Sequence, residues 1–315
     1  MLKRLIIPVM AAIMLLGGCS LSSEKPSDGK LRIVTTIFPA YDFARRIFGD
    51  TADITLLLKP GTESHSYDPS ARDIVKIDSC DLFIYNGGES DAWVENILKS
   101  ADRVNALRMM DAVEAIAEDH EGIAGADHDE HNHDEDWEYD EHIWTSPKNA
   151  ALIVENILNT AVMLAPDNKS LYENAAGEYI DEINTLNEKF TELLSGEERY
   201  FIFGDRFPLL YFFREYGLKY RAAFPGCGSE TEPSAQIVAF LTEKLSESDT
   251  VSTVFCIELS NRKLAETLAD ENGMSVSEFH TCHNITADDF AAGESYVSLM
   301  ERNYKMLQSV LTNGG

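Results

Sequence analysis

The chain has 315 residues, 44% of them hydrophobic, and carries 54 acidic against 26 basic side chains for a formal net charge of −28. This length exceeds one small core and suits two domains. So large a negative excess excludes nucleic acid as a partner, because a phosphate backbone needs cationic neutralisation, and it makes cations the natural ligands.

The opening MLKRLIIPVMAAIMLLGGC holds two basic residues, an apolar run over 5–16, two glycines and Cys19. The run is too short for a permanent bilayer span and has the flanks of an export signal. Leu16, Gly17, Gly18 and Cys19 read as a lipobox, which would make Cys19 the lipidated first residue of a mature chain held at the outer face of the cell membrane. Residues 20–29 form a polar tether.

From residue 31 apolar strands alternate with amphipathic helices: strand 32–36, helix 39–48, strand 53–58, helix 69–79, strand 81–86, helix 93–100 and a weak strand 102–106. This alternation predicts parallel strands joined by right-handed crossovers, with ligands collecting beyond the strand C-terminal ends. His65 follows strand 53–58 at that edge. Residues 118–142, EDHEGIAGADHDEHNHDEDWEYDEH, then gather five of the eight histidines among Asp and Glu. Acidic side chains this dense cannot build a core, so a surface loop is expected over 118–141. Its His120, His128, His131 and His133, interleaved with carboxylates, suit weak capture of a borderline metal such as zinc. His142, at the junction with an ordinary globular segment, reads as fixed.

Ser146 and Pro147 open a helix that runs to about residue 164. From 168 to 194 the residues Leu171, Ala175, Tyr179, Ile183, Leu186, Phe190 and Leu193 recur at steps of three and four, the stripe of one long helix of roughly 40 Å. Strand and helix alternate again afterwards: strands 200–204, 218–223, 251–257 and 276–279, helices 208–216, 234–247, 261–272 and 295–311. The fold class is α/β: two lobes, 30–166 and 197–315, each a mainly parallel sheet flanked by helices, joined by a linker helix within 167–196. Asp205, Glu258 and His280 fall at or just after strand ends of the second lobe and join His65 and His142 in one convergent polar set.

Four cysteines remain after Cys19, and four thiols allow three pairings that sequence alone does not choose between. A bridge from Cys227 to Cys282 is favoured because both sit in polar, loop-like surroundings, whereas Cys80 and Cys256 are expected to be buried thiols. No metalloprotease helix motif, nucleophile elbow or phosphate-cradling loop is present, which argues against an enzyme.

The lipobox, the His65–Ser70 run, the acidic His-rich loop, the Asp140–Pro147 run, YFFREYGL over 211–218 and the C-terminal SYVSLMERN, in that order, resemble the zinc- and manganese-binding lipoproteins that serve ABC importers. The resemblance covers nearly everything after Gly29 and implies two α/β lobes joined by one long helix, a metal in the cleft, a membrane permease as partner and a monomer. It implies that His65 and His142 are the first two metal ligands. The third falls on Arg206, whose guanidinium cannot coordinate; Asp205 is preferred in its place, with Glu258 in reserve. The fourth falls on His280, with Cys282 as an alternative if its thiol is free. Several imidazoles with a carboxylate favour Zn2+ over Mn2+. A manganese or iron carrier, a surface adhesin and an extracellular zinc hydrolase are the alternatives, separable by metal competition, by partner binding without metal and by turnover.

Overall fold

The computed structural model describes residues 29–62, 67–99, 101, 104–118, 122–124, 139–226 and 232–313. The first lobe runs β1 (Leu31–Thr35), α1 (Phe38–Phe48), β2 (Ala52–Leu56), α2 (Ala71–Ser79), β3 (Leu82–Tyr85), α3 (Ala92–Leu98) and β4 (Ala106–Arg108). Its four strands are all parallel, in the order β2-β1-β3-β4. Then come α4 (Pro147–Leu164) and α5 (Lys169–Leu194). The second lobe runs β5 (Tyr200–Phe207), α6 (Leu210–Tyr216), β6 (Lys219–Pro225), α7 (Ala235–Leu245), β7 (Thr250–Ile257), α8 (Lys263–Asn272), β8 (Ser275–Phe279), α9 (Ala287–Ala292) and α10 (Tyr296–Asn313). Its parallel sheet has the order β6-β5-β7-β8, the same sequence of crossovers as the first. Both lobes therefore turn the C-terminal ends of their strands, where parallel sheets collect ligands, toward loops.

Local chemistry sets the helix starts. Ser70 caps α2 with a complete capping box, its hydroxyl accepting from Asp73 N–H while the Asp73 carboxylate accepts from Ser70 N–H. Ser146 caps α4 through Asn149 N–H, ahead of Pro147 at the first helical position. Helix α5 buries Tyr172, Ala176, Tyr179, Ile183, Leu186, Phe190 and Leu194. The expected stripe holds from Tyr179 to Phe190 and shifts by one residue at both ends. Leu171 is 53% exposed and Tyr172 takes its place, its ring 5.1 Å from Phe48 and its hydroxyl 2.9 Å from Thr51 Oγ1.

One continuous apolar cluster runs from Ile33 of the first lobe through α5 to Phe255 and Leu307 of the second, so the spine helix is core to both. Polar stitches add to it. The buried Asp42 carboxylate on α1 takes the Arg45 guanidinium on one oxygen and accepts from Tyr179 OH on α5 and Tyr296 N–H on α10 on the other. Gly61 N–H donates to the Ile285 carbonyl at 2.7 Å, and the Asn284 amide donates to the Lys59 and Thr62 carbonyls. These bonds tie the loop after β2 in the first lobe to the segment ahead of α9 in the second.

Cys80, Cys256 and Cys282 are buried free thiols. This corrects the expected setting of Cys282: it is fully enclosed in the main core and not in a polar surface loop, while Cys227 lies outside the described residues. Among the described residues no helix is long and apolar enough to cross a membrane.

Candidate metal centre

The first wall grows from the two ends of the acidic loop. Ala117 and Tyr139 form an antiparallel bridge, Asp140 N–H donates to the Ile116 carbonyl, and Tyr211 OH accepts from Ile116 N–H while donating to the Asp140 carbonyl. The loop is thus pinned shut two residues before His142. Asp140 Oδ1 accepts His142 N–H at 2.8 Å and stands 3.2 Å from its Nδ1. A carboxylate at Nδ1 keeps the proton on that nitrogen and leaves the Nε2 lone pair as the donor, the support that metal-binding imidazoles commonly have. Burial pulls the His142 pKa down, but Asp140, by charge and hydrogen bond, with Glu141 and Glu118, outweighs it and holds the group above the ordinary imidazole value. Glu141 is itself fixed by Ser90, whose N–H and hydroxyl it accepts.

The loops after β5, β7 and β8 make the second wall. Along β5 the pairing with β6 passes from Phe203–Ala222 to Arg206–Phe224, so β5 carries one extra residue there. Such a bulge re-aims the side chains that follow it. Asp205 lies within β5, not beyond it, and its two oxygens accept Arg206 N–H and Ile257 N–H. Burial raises its pKa against those hydrogen bonds and one from Ser260. Arg206 turns instead into a cavity of about 30 Å³ that it lines with Pro208, Gly226, Glu258, Thr281 and His283. That is room for about one water or one ion. Gly226 allows a close approach: a Cβ there would crowd the Phe207 carbonyl at 3.0 Å and His142 Cε1 at 3.3 Å.

Beyond β8 the chain reverses through Cys282, whose φ of 62° is left-handed. Leu259, in the loop after β7, has φ 61°. Non-glycine residues in this region are strained by roughly 1–2 kcal/mol each, and such strain concentrates at functional sites. The reversal sends Thr281 and His283 to the cavity and encloses Cys282. Glu258 accepts both the N–H and the hydroxyl of Thr281. The His283 ring meets the His142 ring edge to face with centroids 5.3 Å apart, and Trp144 packs against both at 5.0 and 5.6 Å. Trp144 is held in turn by Nε1–H to the Thr281 carbonyl and by Tyr296 OH to its own carbonyl.

Of the expected set, the structure therefore brings His142 to a partner that the sequence reading passed over, His283. His280 is held differently: its Nδ1 accepts Cys282 N–H at 2.9 Å, and its backbone N–H and carbonyl pair with the Asn303 amide. The Cys282 thiol is buried and its pKa pushed well up by burial, so it stays protonated. His65 and the loop residues His120, His128, His131 and His133 lie outside the described residues, as does Cys19. Among the described residues no three His, Cys, Asp or Glu side chains form a complete metal cluster, so the pair needs further donors. A signal for His283 did exist: the two-residue spacing His-x-x-His over 280–283 gave the second histidine equal standing with the first.

A family described as "Zinc-uptake complex component A periplasmic" matches residues 33–310. The zinc-binding lipoprotein AdcA of Streptococcus pneumoniae is 33% identical over 296 residues, which is 93% of this chain and 58% of that protein. The high-affinity zinc uptake system protein ZnuA of Bacillus subtilis is 31% identical over 312 residues, 96% of each chain. The Zn(II)-bound ZnuA-like domain of Streptococcus pneumoniae AdcA matches in structure with a TM-score of 0.74 at 32% identity, over 90% of this chain and 99% of that domain. The chain spans little more than half of AdcA but nearly all of ZnuA. With two parallel-sheet lobes on one spine helix and a match across most of its length, the chain belongs to the zinc-uptake component A family.

Proposed function

We propose that this chain captures Zn2+ outside the cytoplasm, in the cleft between its lobes, and delivers it to an ABC-type importer. The observation that carries the reading is the His142–His283 ring contact, beside a cavity of ion size that His283 lines, with Asp140 behind His142 in the orientation that readies Nε2 for a metal. His65, from the loop between β2 and α2, is the third nitrogen donor in this proposal. Glu258 supplies negative charge at the cavity wall, and Asp205 and His280 hold the wall from behind. Neutral imidazoles select zinc over manganese, which prefers oxygen-rich sites. His120, His128, His131 and His133 act as weak, exchangeable sites that feed the cleft, and Cys19 carries the lipid that anchors the monomer to the outer face of the membrane.

Anomalous scattering at the zinc edge from zinc-loaded crystals, together with competition titrations against a chromophoric chelator, tests the reading. One ion bound to His142 and His283 is expected, with tight binding lost in H142A and H283A and kept when residues 125–138 are removed. An ion bound elsewhere, or a tight site that disappears with the loop, refutes it.

A further inference from the structure

The turn that brings His283 to the cavity is held from a neighbouring strand end. Glu258 follows β7, which pairs in register with β8 up to Ile257 and Phe279, so its side chain stands beside the residues that leave β8. One carboxylate oxygen accepts Thr281 N–H at 2.7 Å and the other accepts the Thr281 hydroxyl at 2.5 Å. That hydroxyl accepts in turn from His283 N–H at 3.2 Å. On the far side the Thr281 carbonyl takes Trp144 Nε1–H at 2.9 Å, and the indole packs edge to face on the His283 ring. Between Thr281 and His283 lies Cys282 with its left-handed φ, a conformation that persists only where its surroundings over-determine it. Glu258, Thr281 and His283 are all buried and all line the one small cavity. An ionised carboxylate accepts and never donates, which suits a residue that offers it two donors at once, and such charge-assisted bonds are roughly twice as strong as neutral ones.

We propose that Glu258 and Thr281 are positioning residues for the metal ligand His283. The carboxylate sets the hydroxyl, and the hydroxyl sets the backbone of His283 and with it the direction of the imidazole. This rests on the zinc-binding reading above and gives Glu258 a task besides the charge it brings to the cavity wall. The aim of a ligand carried after β8 is thus decided at the end of β7. The relay makes the Thr281 hydroxyl matter to zinc although it is no ligand, whereas a carboxylate that acted on the ion directly would leave that hydroxyl without a role.

The experiment is a zinc competition titration of the full chain, carried round the cycle of wild type, E258A, T281V and E258A/T281V. T281V keeps the shape of the side chain and the N–H that Glu258 accepts, and removes only the hydroxyl. It is expected to weaken zinc binding about ten- to a hundredfold, the range for outer-shell partners of metal ligands. T281S, which restores the hydroxyl, recovers most of that loss. E258A costs about tenfold more with Thr281 in place than in the T281V background, where its route to His283 is already cut. A carboxylate acting on the ion directly, by charge or as a ligand, would cost the same in both. Cobalt(II) gives a second readout, since its visible bands follow ligand geometry: they shift in T281V and return in T281S, each variant being checked for folding by its thermal melt. Tight, H283A-sensitive binding that T281V leaves unchanged, or an E258A cost equal in the two backgrounds, overturns the relay and leaves the metal site standing. Zinc binding untouched by H283A overturns both.

Discussion

Replacing Asp140 with Asn keeps the shape of the support under His142 and removes its charge. Oδ1 accepts His142 N–H at 2.8 Å and stands 3.2 Å from Nδ1, and the carboxamide oxygen of Asn can keep the first of these contacts. With Nδ1 on one side of the ring and the metal on the other, carboxylate and ion are about 7 Å apart. At an effective dielectric of ~20, one charge acting on a dication over about 7 Å amounts to about 5 kcal/mol. Solvent relaxation around the ion takes up most of this, and in acid the same carboxylate also stabilises the proton that then competes with zinc for the imidazole. The remainder falls in the range of about ten- to a hundredfold in affinity that outer-shell partners of metal ligands contribute. The assay is a zinc competition titration of wild type, D140N and D140A across pH. At about pH 8, above the ordinary imidazole range, D140N is weaker than wild type and D140A weaker still, since alanine also frees the ring. Because Asp140 holds the His142 pKa above its ordinary value despite burial, wild-type affinity begins to fall at a higher pH than that of D140N, and the two curves approach each other in acid. Equal affinity of D140N and wild type at high pH, with H142A inactive, refutes the electrostatic argument.

Three further outcomes are expected. H280A keeps the tight zinc site but loses about 1–3 kcal/mol of stability in urea, since the buried Cys282 N–H forfeits its acceptor; loss of zinc binding in a folded H280A would restore His280 to the ligand set. D42A loses about 3–5 kcal/mol, the cost of breaking a buried charged network, and D42N less because it still accepts from Tyr179 OH and Tyr296 N–H; equal midpoints for D42A and wild type in urea would show the clasp to be idle. Asp91 is held by burial at a pKa of about 7, above its unfolded value, so the folded chain binds the extra proton and its stability falls as pH rises from about 4 to 7. D91N, which keeps an acceptor for Asn86 and Gly87 N–H, should gain on wild type over that window by up to the order of 4 kcal/mol, read from urea midpoints against pH; parallel curves would contradict it.

The alternation of strand and helix was legible because each apolar run in a parallel sheet is buried on both faces and each helix shows one apolar side. The spine was legible for the same reason, with its ends displaced because a 3.6-residue period does not fix whether the step from Tyr179 leads to Ala175 or Ala176. Local hydrogen bonding decides that, through Tyr172 and Thr51. The support of His142 could be read from Asp140 two residues earlier. What could not be read was which of His280 and His283 lines the cavity, which turns on the left-handed φ of Cys282, a conformation that no residue type announces except glycine. Nor does composition reveal the bulge in β5 that sends Asp205 to the backbone and Arg206 to the cavity. Both features are set by tertiary contacts of the second lobe.

The indole of Trp144 lies against both imidazoles of the pair, its ring nitrogen tied to one lobe and its backbone carbonyl to the last helix. Since the chain holds only three tryptophans, this arrangement gives the molecule an optical gauge of its own. Any change in the charge or spacing of the two rings should alter the emission of a chromophore already in contact with them, so occupancy could be followed in unlabelled protein, with W144F as the dark reference.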